Sequence, residues 1–434
     1  MAARRTTQRA ATGGTPARAP RKAWTVLVYL AGDNNLDEAG ADDLAEMKSV
    51  GSTDEVDVVA QFDRAGASGR TYRYRLRKGT TLAQDRVASL GETNTGDPAV
   101  LEAFLTWGVE TYPAERTLVV LWNHGAGWDD TDLYRMARGG AGRDRARAAS
   151  GRTPRSRGVR RAEVRRVAAR LRRTVFATSV AKAVSTRAIL FDDNAQDFLD
   201  NLELKRVVAK VKAKLGRRID VLGMDACLMA MAEVAYQVRG AVAVQVGSEE
   251  LEPGDGWPYA AILAKLAARP SMTARELGSV IVDAYLASYR ASDVVTQSAL
   301  DLARIVDLRQ AVDGLARALA EGCADPATLL AIVRARRSTQ HYDTKDYVDL
   351  AHLCERLEAA GAGEAIGDAC GIVRGAIEAA VIASGSKGGA VANSRGIAIY
   401  FPEGSVSPLY AKLDFAKQGG WDRFLDTYRK ALVG

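Results

Sequence analysis

Cysteine and histidine are scarce in this chain. Four cysteines (Cys227, Cys323, Cys354, Cys370) and three histidines (His124, His341, His352) occur in 434 residues. The cysteines show neither pairing nor metal-ligand spacing, which argues against a disulfide framework or a zinc centre. Long apolar runs are also missing. The stretch "WTVLVYLAG" (24–32) is too short to span a membrane, and no small-residue cleavage pattern follows a basic start. The cysteines are therefore expected as reduced thiols, the protein is expected in the cytoplasm, and no membrane contact is expected. No Gly-rich loop ending in GK[ST] follows a strand pattern, which excludes a phosphate-cradling nucleotide site of that type. There is no internal repeat.

Charge is present in excess but unevenly. The net charge is +7, yet residues 135–187 hold 16 Arg and one Lys against Asp144 and Glu163. Residues 1–22 add six basic residues and no acid, so the remainder carries −14. The folded body is thus expected to be acidic, with two basic appendages. An acidic body attracts basic ligands and disfavours general nucleic-acid binding.

Short apolar runs alternate with helical spacing along most of the chain. "WTVLVYL" (24–30), "EVDVVAQFD" (55–63), "RTLVVLWNHG" (116–125), "RIDVLGMDACLM" (218–229) and "AVAVQVGSEE" (241–250) read as strands, several of them fully buried. Segment 70–79 alternates and suggests an antiparallel addition. The expected fold is α/β, a mostly parallel sheet sandwiched by helices. Helices are expected over 273–290, 303–321, 327–336, 346–360 and 366–383, and a hairpin-like pair within 388–402.

Sites in open parallel sheets form beyond the carboxyl ends of strands. Two such exits carry reactive side chains: "LVVLWNHGAGW", with His124, and "VLGMDACLMA", with Cys227. A cysteine nucleophile needs a nearby base, usually histidine, and neighbouring strands would bring these two together. Each residue also has a plainer reading. Cys227 would serve as a small core residue, and His124 as a loop residue at a strand end. His341 and His352 read as surface or helix-face residues.

Several stretches resemble the clostripain family of cysteine peptidases, relatives of caspases, gingipains and legumain. They are "WTVLVYLAGDNNLD", "LVVLWNHGAGW", "FDDNAQDFL…EL", "VLGMDACLMAMAEVAY", "VGSEELEPGDGWPY" and "GIAIYFP", in family order, covering roughly residues 24–130 and 188–405. The resemblance implies a caspase-like fold and an endopeptidase that cleaves after Arg or Lys. It implies Cys227 as nucleophile and His124 as general acid/base. Backbone N–H groups of Gly125 and Cys227 would hold the oxyanion. Asp225 would pair with the basic side chain before the scissile bond, with Asp255 on a Gly-flanked loop as a second pocket acid. Physically, Gly125 also reads as a tight turn and Asp225 as a helix cap. Glu249 and Glu250 are weaker choices for the pocket.

The family places a processing site between the histidine and cysteine strands, where this chain has its Arg-rich segment. Arg147, Arg152, Arg155, Arg157 and Arg160 are the candidate cut points. The implied organisation is a basic N-terminal arm (1–22), a first peptidase part (23–134), an activation loop (135–187), a second peptidase part (188–265) and a helix-rich C-terminal region (266–434) packing on the peptidase core. The expected protein is a zymogen cut by itself or by an upstream protease, a monomer or two associated fragments afterwards, acting on proteins with exposed Arg or Lys in regulation, cell death or defence. No cofactor is required. Calcium, used by some relatives, would find its nearest ligands in Asp192 and Asp193, which also read as solvated or helix-capping acids. The competing reading is a catalytically silent scaffold that contacts nucleic acid through its basic segments.

Overall fold

The computed structural model describes residues 21–65, 70–128, 188–192 and 197–433. The five candidate cut points and Asp193 lie outside these residues. The strands are β1 (Lys22–Gly32), β2 (Val56–Arg64), β3 (Thr71–Arg75), β4 (Arg86–Gly91), β5 (Ala114–Trp122), β6 (Ala188–Asp192), β7 (Asp197–Asp200), β8 (Ile219–Asp225), β9 (Val242–Gly247), β10 (Val295–Asp301), β11 (Tyr347–Asp349), β12 (Val381–Lys387) and β13 (Ala398–Tyr400). Nine of them form one sheet in the order β12-β10-β9-β8-β5-β1-β2-β3-β4. Its centre, β2-β1-β5-β8-β9, is parallel. Both flanks are antiparallel.

The buried strand runs of the sequence are explained by two cores, one on each face. Along β1, Leu27, Tyr29 and Ala31 enter one core, while Trp24, Val26, Val28 and Leu30 enter the other. In β5, Val119 and Leu121 face the first core, and Leu118, Val120 and Trp122 the second. Successive side chains point to opposite faces, so a strand covered on both sides is apolar throughout. Each fully buried Val or Leu contributes about 1.5–3 kcal/mol. Helices Pro98–Thr111, Asn201–Leu215 and Ile305–Gly322 cover the first face. Helices Asp37–Val50, Tyr259–Ala268 and Ala274–Ser288 cover the second.

Local signals set the helix ends. Asp200 and Glu203 form a reciprocal capping box ahead of Asn201–Leu215, and Gly216 closes that helix in the left-handed region at φ 68°. No helix among the described residues is long and apolar enough to cross a membrane.

Three expectations need correction. Residues 388–402 do not pair with one another, because β13 pairs with β11. The helix expected over 366–383 spans Glu364–Ala380 and gives way to the edge strand β12. Strand β10 was not expected at all. It is buried along Val295–Leu300 yet rich in polar residues, whose hydrogen bonds come from distant segments: Ser248 with Thr296 at 2.8 Å, and Ser298 donating to the Gly396 carbonyl at 2.7 Å. Residues 266–434 therefore contribute two strands to the same sheet as the peptidase segments. Of the two readings of His352, the helix-face one holds: it lies on the buried face of the helix Leu350–Ala359, and its Nδ1 accepts from the Gln340 N–H at 2.8 Å.

Candidate active site

β5 and β8 are adjacent and parallel, with Trp122 opposite Asp225. His124 follows Trp122 by two residues and Cys227 follows Asp225 by two, so one register brings both reactive side chains to the same edge of the sheet. Gly125 shows how closely these exits approach. A Cβ there would meet the Cys227 carbonyl oxygen at 2.3 Å and the Cys227 nitrogen at 3.0 Å. Only glycine fits such an approach.

The thiol sits among backbone donors. The Glu252 N–H points at Cys227 Sγ at 3.2 Å, and the Gly125 backbone lies close enough to act on the thiol. The next residue, Leu228, has φ 62°, the one non-glycine residue with positive φ among those described. This strained turn follows Cys227 directly. The Leu228 N–H bonds to the Glu250 carbonyl at 3.2 Å and the Ala230 N–H to the Ser248 carbonyl at 2.8 Å, so the 248–252 segment holds the turn.

His124 Nε2 lies 3.1 Å from Asn35 Oδ1. Its backbone N–H donates to the Asn123 side chain, whose Nδ2 donates to the Ala31 carbonyl at 2.7 Å. The loop after β1 thus orients the imidazole, a role that "GDNNLD" gave no local sign of. Burial pushes His124 down to about 3 and the Cys227 thiol up to about 12. Both shifts favour a neutral thiol and imidazole over an ion pair.

Asp225 is buried at the end of β8. It accepts from the Tyr259 hydroxyl at 2.7 Å and the Trp257 N–H at 3.4 Å. It is not a helix cap, since the next helix begins only at Ala232. Burial raises its carboxyl to about 6, against the lowering effect of hydrogen bonds to Glu252, Tyr259 and Trp257. Asp255 is exposed. The other acid of that loop is Glu252, three residues earlier and half-buried, whose carboxyl interacts with that of Asp225 and with the Trp257 indole. Asp43 closes the other side. It accepts from Trp122 Nε1 at 2.6 Å, and burial with the charge of Asp225 lifts it to about 9. Gly256, at φ 56°, lies between them: a Cβ there would stand 3.4 Å from Oδ2 of both Asp43 and Asp225. Glu249 serves the framework, accepting from the Tyr342 hydroxyl at 2.7 Å and the Gly396 N–H at 3.1 Å.

The profile of the clostripain family matches residues 28–145 and 177–428. The chain belongs to the clostripain family. Clostripain of Hathewaya histolytica is 24% identical over 342 residues, covering 67% of this chain. The matched region spans 55% of that relative's length. Two solved structures share the fold. A secreted C11 cysteine protease from Bacteroides thetaiotaomicron, bound to an irreversible peptide inhibitor, has a TM-score of 0.60 at 19% identity, covering 92% of this chain and 99% of that one. An inactive zymogen C11 protease from Parabacteroides distasonis has a TM-score of 0.62 at 18% identity, covering 93% and 99%.

Asp192, proposed with Asp193 as a calcium ligand, ends β6. A different trio of this clostripain-family chain brings its ligand atoms within 4.8 Å: Asp33, Asp63 and Glu92. Its hard oxygens are of the type calcium takes, but three carboxylates fall short of the roughly six to eight oxygens of a full shell.

Proposed function

We propose that this protein is a cysteine endopeptidase that cleaves after Arg or Lys. The observation that carries this reading is a buried carboxylate, Asp225, two residues before a thiol set among backbone N–H groups, beside the strand that delivers His124. A guanidinium or ammonium in that pocket would place the following carbonyl carbon at Cys227. The thiol proton passes to His124 as sulfur attacks, and His124 then gives it to the leaving amine. The Gly125 and Cys227 N–H groups hold the oxyanion. Water, activated by the same imidazole, releases the acyl group. Because thiol and imidazole start neutral, proton transfer accompanies substrate engagement.

We further infer that the chain is made as a proenzyme cut within 135–187, by itself or by an upstream protease. The zymogen state of one structural neighbour supports this. So does topology: β5 precedes the segment and lies between β1 and β8, the latter following it. Two fragments would therefore share one sheet and stay together. A cytoplasmic role in regulation, cell death or defence is our reading of an Arg-directed peptidase whose four cysteines are free thiols.

The test pairs wild type with Cys227→Ala, each incubated alone and assayed with Arg-, Lys- and Asp-terminated fluorogenic peptides. Release after Arg or Lys by wild type alone is expected, with cleavage inside 135–187 and both fragments eluting as one species. Release after Asp, or equal activity in the mutant, would overturn the reading.

A further inference from the structure

Asp225 is not the only acid beside Cys227. Glu252 Oε1 accepts from Gln297 Nε2 at 3.1 Å, and the Glu252 carboxyl also reaches that of Asp225. Two carboxyl groups in hydrogen-bond contact must share a proton, since two carboxylates have no hydrogen to place between them. Burial, then the neighbouring Asp225 charge, drives Glu252 well above the usual carboxylate range. Beyond that shared proton, Glu252 Oε2 and Gln297 Oε1 are buried acceptors with no donor in hydrogen-bond geometry among the described residues, although the Trp257 indole acts on the Glu252 carboxyl. Such acceptors cost free energy until a donor arrives.

The surroundings supply no cation. Asp43, Tyr259, Tyr285 and Tyr289 act on the pair, from helices on one face of the sheet and the loop after one of them. Cys227 and Glu250 lie on the nucleophile side, and Asp255 stands at the rim. Among the described residues, no Lys, Arg or His is a cause of the shifts at Asp225 or Glu252. A multi-donor cation fits these carboxyls, and no described residue supplies one.

We propose that Glu252 is a specificity-determining residue: a substrate guanidinium displaces the proton Glu252 shares with Asp225, and the two acids then select Arg over Lys. This rests on the reading that the Asp225 pocket receives a basic side chain. The displaced proton leaves to solvent, and no covalent bond changes. A guanidinium offers five N–H donors in a fixed fork, enough for Asp225, Glu252 and Gln297 together. An ammonium offers three donors from one atom and leaves acceptors unmet. Glu252 is well placed for this role because its own backbone N–H faces the nucleophile sulfur, so loop, pocket and thiol are held by one residue.

The experiment is calorimetry of n-butylguanidinium binding to the full chain near pH 6.5, in two buffers of different ionisation enthalpy. Wild type is expected to release about one proton per cation bound. Glu252→Gln should bind about tenfold more weakly, with release largely lost. In peptide assays, its Arg-over-Lys ratio in kcat/KM should fall about tenfold, with kcat for Arg kept within a few-fold. Binding without proton release, or unchanged release in Glu252→Gln, overturns this proposal and leaves the basic-pocket reading intact. Failure of wild type to bind the cation overturns both. Should Glu252→Gln not fold, Glu252→Asp keeps a carboxyl. It is expected to retain release and lose Arg preference, and retained preference would overturn the proposal.

Discussion

Trp122 and Asp225 face one another across the β5–β8 ladder, and that pairing sets the whole site. Two steps beyond each lies a reactive side chain. Trp122 also donates to Asp43, so the same residue ties the histidine strand to the acidic pocket. A one-residue slip would turn every side chain of the strand to the other face.

Replacing Cys227 or His124 by Ala is expected to lower kcat/KM by on the order of 10³-fold or more. Neither change should unfold the protein, because both side chains lie at the sheet edge. Activity assays run beside thermal melts check this. The double mutant should be hardly worse than either single one, as expected for groups that act as a unit.

Gly125→Ala probes the contact between the strand exits. The added methyl would fall 2.3 Å from the Cys227 carbonyl, against backbone that has little room to yield. A stability loss of about 1–3 kcal/mol is expected, with a fall in kcat exceeding that of a neutral substitution elsewhere on the loop. Chemical denaturation and single-turnover kinetics separate the two effects.

Tyr259→Phe removes the 2.7 Å hydrogen bond to Asp225 and leaves the ring in place. Loss of one bond to a charged group costs roughly 1.5 kcal/mol. KM for an Arg peptide should therefore rise about tenfold while kcat changes little. An unchanged KM would place the substrate's cation elsewhere.

Glu233 makes a stability prediction independent of catalysis. It is fully buried, accepting from the Tyr400 N–H and the Tyr410 hydroxyl at 3.0 Å each. Burial raises its carboxyl from 4.5 to about 7. A raised acid favours the fold in its neutral form. The contribution is fully present below about pH 4.5 and lost as pH rises through 7, at a scale of roughly 3 kcal/mol. Wild type should melt lower at pH 9 than at pH 5, and Glu233→Gln should shrink that difference. Melts of both proteins at the two pH values decide it.

Much of this molecule is written locally. The parallel strands were legible because burial on both faces demands apolar side chains at every position, as in "WTVLVYL" and "RTLVVLW". His124 and Cys227 were legible as candidates because they stand at the ends of such runs, whereas Gly125 and Asp225 were singled out through the resemblance to the clostripain family. Strand β10 was not legible, because its buried Thr296 and Ser298 are satisfied by partners about 50 to 100 residues away, which no window of sequence contains.

The same distinction separates Cys227 from the acids around Asp225. Sequence by itself determined the sheet-forming segments, the two reactive strand exits and the acid beside the thiol. These follow from periodicity and from the chemistry of single residue types. Only the tertiary structure decided that Asn35 reaches His124, that Glu252 lies against Asp225 while Asp255 is exposed, and that Asp43 joins them. Those roles depend on which loops the sheet order brings together and which carboxyls it strips of water, and burial is a property of the assembled fold rather than of any residue in it.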